Sequence, residues 1–223
     1  TWQPLSNETK SLTFLLALTF LFLFGGSSVV FGEEPEVKKE FWENGQKRLK
    51  EHYKNGELDG LSTYFYENGI KMLEVYYKQG KNNGFKIHWY PNGKMWYERN
   101  YKFGEKDGPW TEWYFNEKIK FKGYFKNGSK DGLSTSWYEN GQKKLEEYYK
   151  DGKKDGLSTS WYANGKKLYQ RHYKDGEKDG LSNSWYANGQ KKLEEHYKDG
   201  KKDGLFNLWY VNGQKKLEEH YKD

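Results

Sequence analysis

The sequence predicts an all-β fold, an elongated single-layer antiparallel sheet built from tandem β-hairpins of 24 residues. Three observations predict it. Glycines fall in columns that advance by 24 residues, as in Gly141, Gly165, Gly189 and Gly213, or Gly152, Gly176 and Gly200. A fixed period of this length marks a repeat architecture in which each unit contacts its neighbours. Short runs rich in aromatic and β-branched residues lie between Asn-Gly and Asp-Gly pairs, the pattern of strands joined by tight turns. Aromatic residues make up 19% of the chain while aliphatics are scarce, so burial has to come from Tyr and Trp packed across strands rather than from a thick two-layer core.

The first 32 residues lie outside this pattern. Lys10 precedes the apolar run Leu12 to Phe24, and small residues and Gly32 then lead into Glu33-Glu34-Pro35. That is the layout of a secretory signal peptide with a cut after Gly32. The competing reading is an uncleaved membrane anchor, since residues 12–31 are almost long enough to span a bilayer. Residues 33–40 read as a short linker, and residues 41–223 as about eight hairpin units, the last incomplete. The last unit stops at Tyr221-Lys222-Asp223 without a polar cap, an edge that favours end-to-end self-association.

One unit, Asp131 to Lys150, shows how each hairpin is expected to form. A strand over roughly 133–138 meets the turn Glu139-Asn140-Gly141, and a second strand follows over roughly 142–150. A three-residue turn ending in a left-handed glycine sets residue 138 opposite 142 and puts residues of equal parity on one face. Leu133, Thr135, Trp137, Leu145 and Tyr149 then share a side, which is the predicted core side because burying one face is what specifies register. Along it run Phe41, Phe65, Trp89, Trp113, Trp137, Trp161, Trp185 and Trp209. Equivalent residues in successive hairpins lie about 10 Å apart, too far to stack, so the strand of Tyr173 is expected to fill the gap between Trp161 and Trp185. The opposite side carries Ser134, Ser136, Tyr138, Lys144 and Glu146 and reads as wetter.

The fourth unit departs from the others. Its turn, Phe115-Asn116-Glu117-Lys118, has glutamate where the other units have glycine. A left-handed glutamate costs on the order of 1 kcal/mol, so this turn is expected to change type. Pro109-Trp110 adds an aromatic to the serine-bearing side and removes a backbone donor. Residues 109–125 therefore mark the place where function need not be shared by every unit.

Several chemistries are excluded on composition and spacing. A net charge of +6 is spread over 38 basic and 32 acidic residues. Runs such as Lys143-Lys144-Leu145-Glu146-Glu147 mean ion pairs on a solvated face, and no nucleic-acid surface is expected. There are no cysteines, so neither a disulfide framework nor a thiolate metal site is available. His52, His172, His196 and His220 fill one column, but neighbours in it would be about 10 Å apart, whereas a zinc ion needs ligands about 2 Å away. Asp151-Gly152-Lys153-Lys154-Asp155-Gly156 opens like a calcium loop, yet Lys153 stands where an oxygen ligand is needed and position twelve is Tyr162. His88 has no positioned nucleophile beside it, and no catalytic residue, cofactor or metal is predicted.

Tyr149-Lys150-Asp151-Gly152-Lys153-Lys154-Asp155-Gly156-Leu157, followed by Trp161-Tyr162-Ala163-Asn164-Gly165, closely resembles the MORN-repeat variant of bacterial YwqK-type proteins. The resemblance covers about residues 41–223 and implies a chain of antiparallel hairpins in a twisted sheet. It also implies a protein-binding scaffold, some members of the group being labelled antitoxin-like. Glu117 and the Lys166-Lys167-Leu168-Tyr169 segment depart from the pattern.

The function expected is that of an exported, non-enzymatic scaffold of the bacterial envelope, periplasmic, cell-surface or extracellular, that binds a protein partner through its aromatic face. Trp137, Trp161, Trp185 and Trp209 are the candidate contacts, with Trp110 and Trp113 in the irregular unit. Two other readings use different groups. Lys153, Lys154, Lys201 and Lys202 would bind an anionic membrane surface, and exposed rows of Tyr and Trp would stack on a glycan.

Overall fold

The computed structural model describes residues 35–222. The predicted signal peptide or anchor, residues 1–32, lies outside the described residues. The described chain contains 18 β-strands and is one open antiparallel sheet. They are β1 (Glu36–Phe41), β2 (Lys47–Lys54), β3 (Glu57–Leu58), β4 (Gly60–Phe65), β5 (Lys71–Lys78), β6 (Lys81–Trp89), β7 (Met95–Lys102), β8 (Glu105–Trp113) and β9 (Ile119–Lys126). The second half continues with β10 (Ser129–Lys130), β11 (Gly132–Trp137), β12 (Lys143–Lys150), β13 (Lys153–Trp161), β14 (Lys167–Lys174), β15 (Glu177–Trp185), β16 (Lys191–Lys198), β17 (Lys201–Trp209) and β18 (Lys215–Tyr221). Strands pair in chain order, as β11 with β12, β12 with β13 and β13 with β14.

Two kinds of turn alternate. In the inner turn the Tyr138 N–H donates to the Gln142 carbonyl at 2.9 Å and the Gly141 N–H to the Tyr138 carbonyl at 2.8 Å. Gly141 sits at φ 93°, the left-handed glycine the spacing predicts. In the outer turn Asp151 (φ 48°) and Gly152 (φ 81°) are both left-handed. That is the two-residue hairpin turn whose twist matches the twist of its strands. Asp tolerates it because its short polar side chain lowers the penalty.

The return strand differs from the sequence expectation. Trp137 opposes Lys143, as predicted, but Ser136 opposes Leu145, so one residue of β12 is extra. This bulge at Lys143-Lys144 reverses the parity of everything after it. Leu145, Glu147 and Tyr149 therefore share a face with Ser134 and Ser136, here the serine face. Leu133, Thr135 and Trp137 share theirs with Lys143, Glu146 and Tyr148, here the tryptophan face. The outer turn preserves parity, because Tyr149 opposes Lys154 and Glu147 opposes Ser158.

The core side is corrected with it. Leu49, Glu51, Ser62, Val75, Trp110, Phe125, Ser134, Glu147, Ser158 and Glu195 are all buried on the serine face, whereas the tryptophan face buries only its Thr and Asn column, among them Thr63, Thr159 and Asn207. Small serines opposite Leu and Tyr let neighbouring strands close over one another there. Tyr173 is thus on the wrong side to fill between Trp161 and Trp185. Lys167 opposes Trp161 and lies over the Trp185 ring at 5.6 Å.

The Glu117 turn keeps its type. Glu117 adopts φ 65°, and the Tyr114 N–H still donates to the Lys118 carbonyl at 2.8 Å. An ion pair from Lys94 to Glu117 at 3.0 Å helps offset the strain.

The sheet is interrupted twice. β2 and β4 share only the pairs Leu49–Tyr64 and Lys50–Thr63, with β3 split off before Gly60. β9 and β11 share only Thr135–Lys122 and Ser136–Phe121, with β10 split off before Gly132.

Candidate functional site

On the tryptophan face a lysine that opens a return strand reaches the tryptophan of the next unit. Lys71 lies over Trp89 at 5.7 Å, Lys143 over Trp161 at 5.6 Å and Lys191 over Trp209 at 5.5 Å. The same lysines also meet Glu74, Glu146 and Glu194 three residues on. Trp161, Trp185 and Trp209 are thereby half-buried parts of a charged ladder rather than a bare aromatic surface. Trp113 and Trp137 differ: the positions 18 residues earlier are Met95 and Ile119, and among the described residues no cation covers either ring.

The inner turns are stitched together by a second ladder. The Tyr138 hydroxyl donates to the Trp161 carbonyl at 2.9 Å, and Asn140 Nδ2 to the Ala163 carbonyl at 2.8 Å. Tyr66, Tyr114, Tyr162 and Tyr186 repeat the bond. Among the described residues Tyr90 and Asn92 make no such bond to the fourth unit. Tyr90 stacks instead on Trp96 and meets the edge of Phe115, both at 5.3 Å.

The serine face holds charge in one column, buried at Glu51, Glu147 and Glu195 and half-buried at Arg99 and Arg171, with Val75 and Gly123 between them. Glu147 accepts from the Tyr149 hydroxyl at 2.6 Å and the Ser158 hydroxyl at 3.2 Å, and pairs with Lys154 at 2.6 Å. Burial pushes the Glu147 carboxyl up, but Lys154 and Tyr149 outweigh it and hold the group below the ordinary carboxylate value. Glu195 accepts from Tyr197 and pairs with Lys202, both at 3.1 Å, and burial, with the Glu195 charge, pushes the Tyr197 phenol up to about 12. Arg99 pairs with Glu112 at 2.6 Å and stacks between Tyr97 and Trp110.

The pattern opens at the β9–β11 interruption. Gly123 occupies the charged column, and a β-carbon there would stand 2.7 Å from Phe121 Cζ and 2.8 Å from Ser134 Oγ. The Phe121 ring leans into the vacated place. A groove of about 340 Å³ remains, lined by Trp110, Phe121, Phe125, Lys130 and Ser136, with Tyr114, Trp137, Glu112, Lys120 and Lys144 around it. On the opposite side of the same strands, Tyr124 (45%), Leu133 (42%) and Tyr148 (45%) are exposed in one row. Leu157, Leu181 and Leu205 in the Leu133 column are half-buried.

The sequence-predicted residues are thus divided. Trp110 and Trp137 border the groove, Trp113 lies in the same strand as Trp110 without lining the groove, and Trp161, Trp185 and Trp209 lie beyond it in the regular array. Lys154 and Lys202 turn to the serine face and are engaged by Glu147 and Glu195, while Lys153 and Lys201 stay exposed. Within each pair, one lysine is thus exposed and the other engaged by a carboxylate. Among the described residues no group of three or more His, Asp or Glu is placed to hold a metal ion. Sequence reasoning reached Phe121 and Gly123 only within the irregular segment 109–125 and missed Lys130, Leu133 and Ser136 as site residues. Gly123, a glycine outside the three periodic columns, was the signal that could have found them.

A comparison with curated proteins finds no match. The profile described as MORN repeat variant matches seven segments, residues 37–55, 58–79, 86–103, 106–127, 130–151, 154–175 and 178–199. These segments follow the hairpins described above, and together they cover well over half of the chain. With period, turn chemistry and sheet in agreement, the chain belongs to the MORN repeat variant family.

Proposed function

We propose that this protein is a non-enzymatic scaffold that binds a protein partner on the tryptophan face at the β9–β11 interruption. One observation carries the reading: Tyr124, Leu133 and Tyr148 expose apolar surface in a single row, next to Trp137, whose ring lacks the lysine found over Trp161 and Trp185. Aromatic and aliphatic side chains grouped this way, with charged residues around them, have the composition of an interaction hot spot. Export to the envelope belongs to the same proposal and rests on Lys10 and the apolar run that follows it. The YwqK-type, antitoxin-like resemblance is consistent with a protein that acts by capture.

The membrane reading is less well supported, because Lys154 and Lys202 are already paired. The test is a pull-down from an envelope fraction with residues 33–223 as bait, beside a folded Leu133→Lys, Tyr148→Lys double variant. A partner captured by the parent and lost by that variant, but kept by Trp161→Lys, is the expected result. Capture that survives the double variant overturns the placement of the contact.

A further inference from the structure

The two interruptions are the same structural slot, three units of 24 residues apart, and each holds a groove. In the first, between β2 and β4, a groove of about 460 Å³ also remains, with Tyr64 in its wall. Its hydroxyl donates to Glu51 at 2.5 Å, and Tyr53 donates to the same carboxylate at 2.8 Å. A phenol ring and a carboxylate supplied by the chain thus occupy that slot.

The second groove lacks both groups. Ser136 stands where Tyr64 is in the first, Gly123 where Glu51 is, and Lys130 where Leu58 is. The second groove, of about 340 Å³ and within the usual ~300–1,000 Å³ range for small-ligand sites, reaches Trp110, Phe125 and Lys130, whose counterparts Lys38, Tyr53 and Leu58 do not line the first groove. One polar group marks the loss. Lys130 has no ion-pair partner among the described residues, only a long hydrogen bond to the Tyr149 hydroxyl at 3.5 Å; Lys154 and Lys202, the same position in later units, pair with Glu147 and Glu195, while Lys178 donates to the Tyr197 hydroxyl. The Lys130 ammonium lies 4.6 Å from the Tyr149 ring and 5.7 Å from the Phe121 ring. Burial pulls its pKa down, with Glu147 opposing. Glu112 does not neutralise it, being held by Arg99 at 2.6 Å and Lys120 at 3.9 Å.

From these replacements we infer that the β9–β11 groove binds a small aromatic carboxylate, its ring between Trp110 and Phe121 and its carboxylate on Lys130. The ligand restores the ring and the anion that Tyr64 and Glu51 supply in the first groove. An apolar neutral ligand would leave the half-buried ammonium unpaired, and a simple anion would leave the aromatic walls wet.

The probe is 4-hydroxyphenylacetate, titrated into the chain while Trp fluorescence and binding heat are followed. Saturable binding is expected, with p-cresol and acetate, which each supply half of the chemistry, weaker by about tenfold or more. Lys130→Met should weaken binding by a similar factor. Ser136→Tyr combined with Gly123→Glu writes the first groove's own groups into the second and should abolish binding while the far-ultraviolet β signal is kept. That filled variant should still capture a partner through Leu133 and Tyr148, which separates this site from the contact on the opposite face. Short peptides ending in tyrosine, as free acid and as amide, show whether the aromatic acid is a free metabolite or a chain terminus. Absence of saturation, or unchanged binding in the filled variant, overturns the inference.

Discussion

The array from β13 to β17 and the junction of β9 with β11 use one hairpin plan to opposite ends. In the array the tryptophans have cations and the buried acids have lysines: Lys143, Lys167 and Lys191 cover Trp161, Trp185 and Trp209, and Glu147 and Glu195 hold Lys154 and Lys202. At the junction the same columns carry Met95, Ile119 and Gly123, so tryptophans lose their cations and Lys130 loses its acid. Stability in a repeat protein comes from nearest neighbours, and specialisation therefore appears where a neighbour has been removed. The proposed binding surface and the structural weakness are two aspects of that removal.

The sharpest way to break the contrast is to create the junction's deficit inside the array. Glu147→Ala leaves Lys154 without its carboxylate on a buried face, and a loss of about 3 kcal/mol in urea unfolding is expected. The pH dependence gives the sign independently. Because the folded Glu147 pKa is lowered, its contribution is complete above the ordinary carboxylate range and disappears as pH falls through the folded value. Unfolding midpoints measured down an acid series should show that component in the parent and lack it in Glu147→Ala.

A smaller effect distinguishes the two regions at the backbone. Gly156, at φ 112°, has Tyr148 Cβ 3.4 Å from where its own β-carbon would be, whereas Gly132, at φ 80°, has nothing within 4 Å. Alanine at 156 should cost about 2 kcal/mol and alanine at 132 about 1. Equal losses would show that the β10–β11 break does not relax the chain. The smallest effect is a gain: Glu117→Gly removes left-handed strain at the irregular turn, and even after the added chain entropy and the loss of Lys94 pairing it should stabilise by about 0.5 kcal/mol in the same assay.

Turn chemistry was legible because it depends on single residues. Gly141 after Asn140, and Gly152 after Asp151, dictate φ directly, and the strands between them follow. The face assignment was not, because in the unit used to set it the extra residue falls in Lys143-Lys144, as it does in Lys191-Lys192 and Lys215-Lys216, where either lysine suits either side. A bulge between two like residues leaves no mark on composition. Tyr149 two residues after Glu147, and opposite small Gly132, was the usable hint that the return strand belongs with the serines. Glu117 was read correctly as strained and wrongly as a different turn, since the hydrogen bonds of the flanking strands and Lys94 outweigh a penalty of about 1 kcal/mol. The groove was invisible for a further reason: it is defined by Ser136 and Gly123 being smaller than their counterparts Tyr64 and Glu51, and absence of bulk at one position carries meaning only once register shows which positions correspond.

The hydroxyl-to-carbonyl bonds of Tyr66, Tyr114, Tyr138, Tyr162 and Tyr186 run along one margin of the sheet like the teeth of a fastener. Under tension such a margin distributes force over successive teeth until it reaches a gap. Tyr90 provides none, its ring being turned to Trp96 and Phe115, so tearing along that margin should start between the third and fourth hairpins. The junction groove begins one strand farther on, and mechanical pull on the chain would reach it before it reached the array beyond.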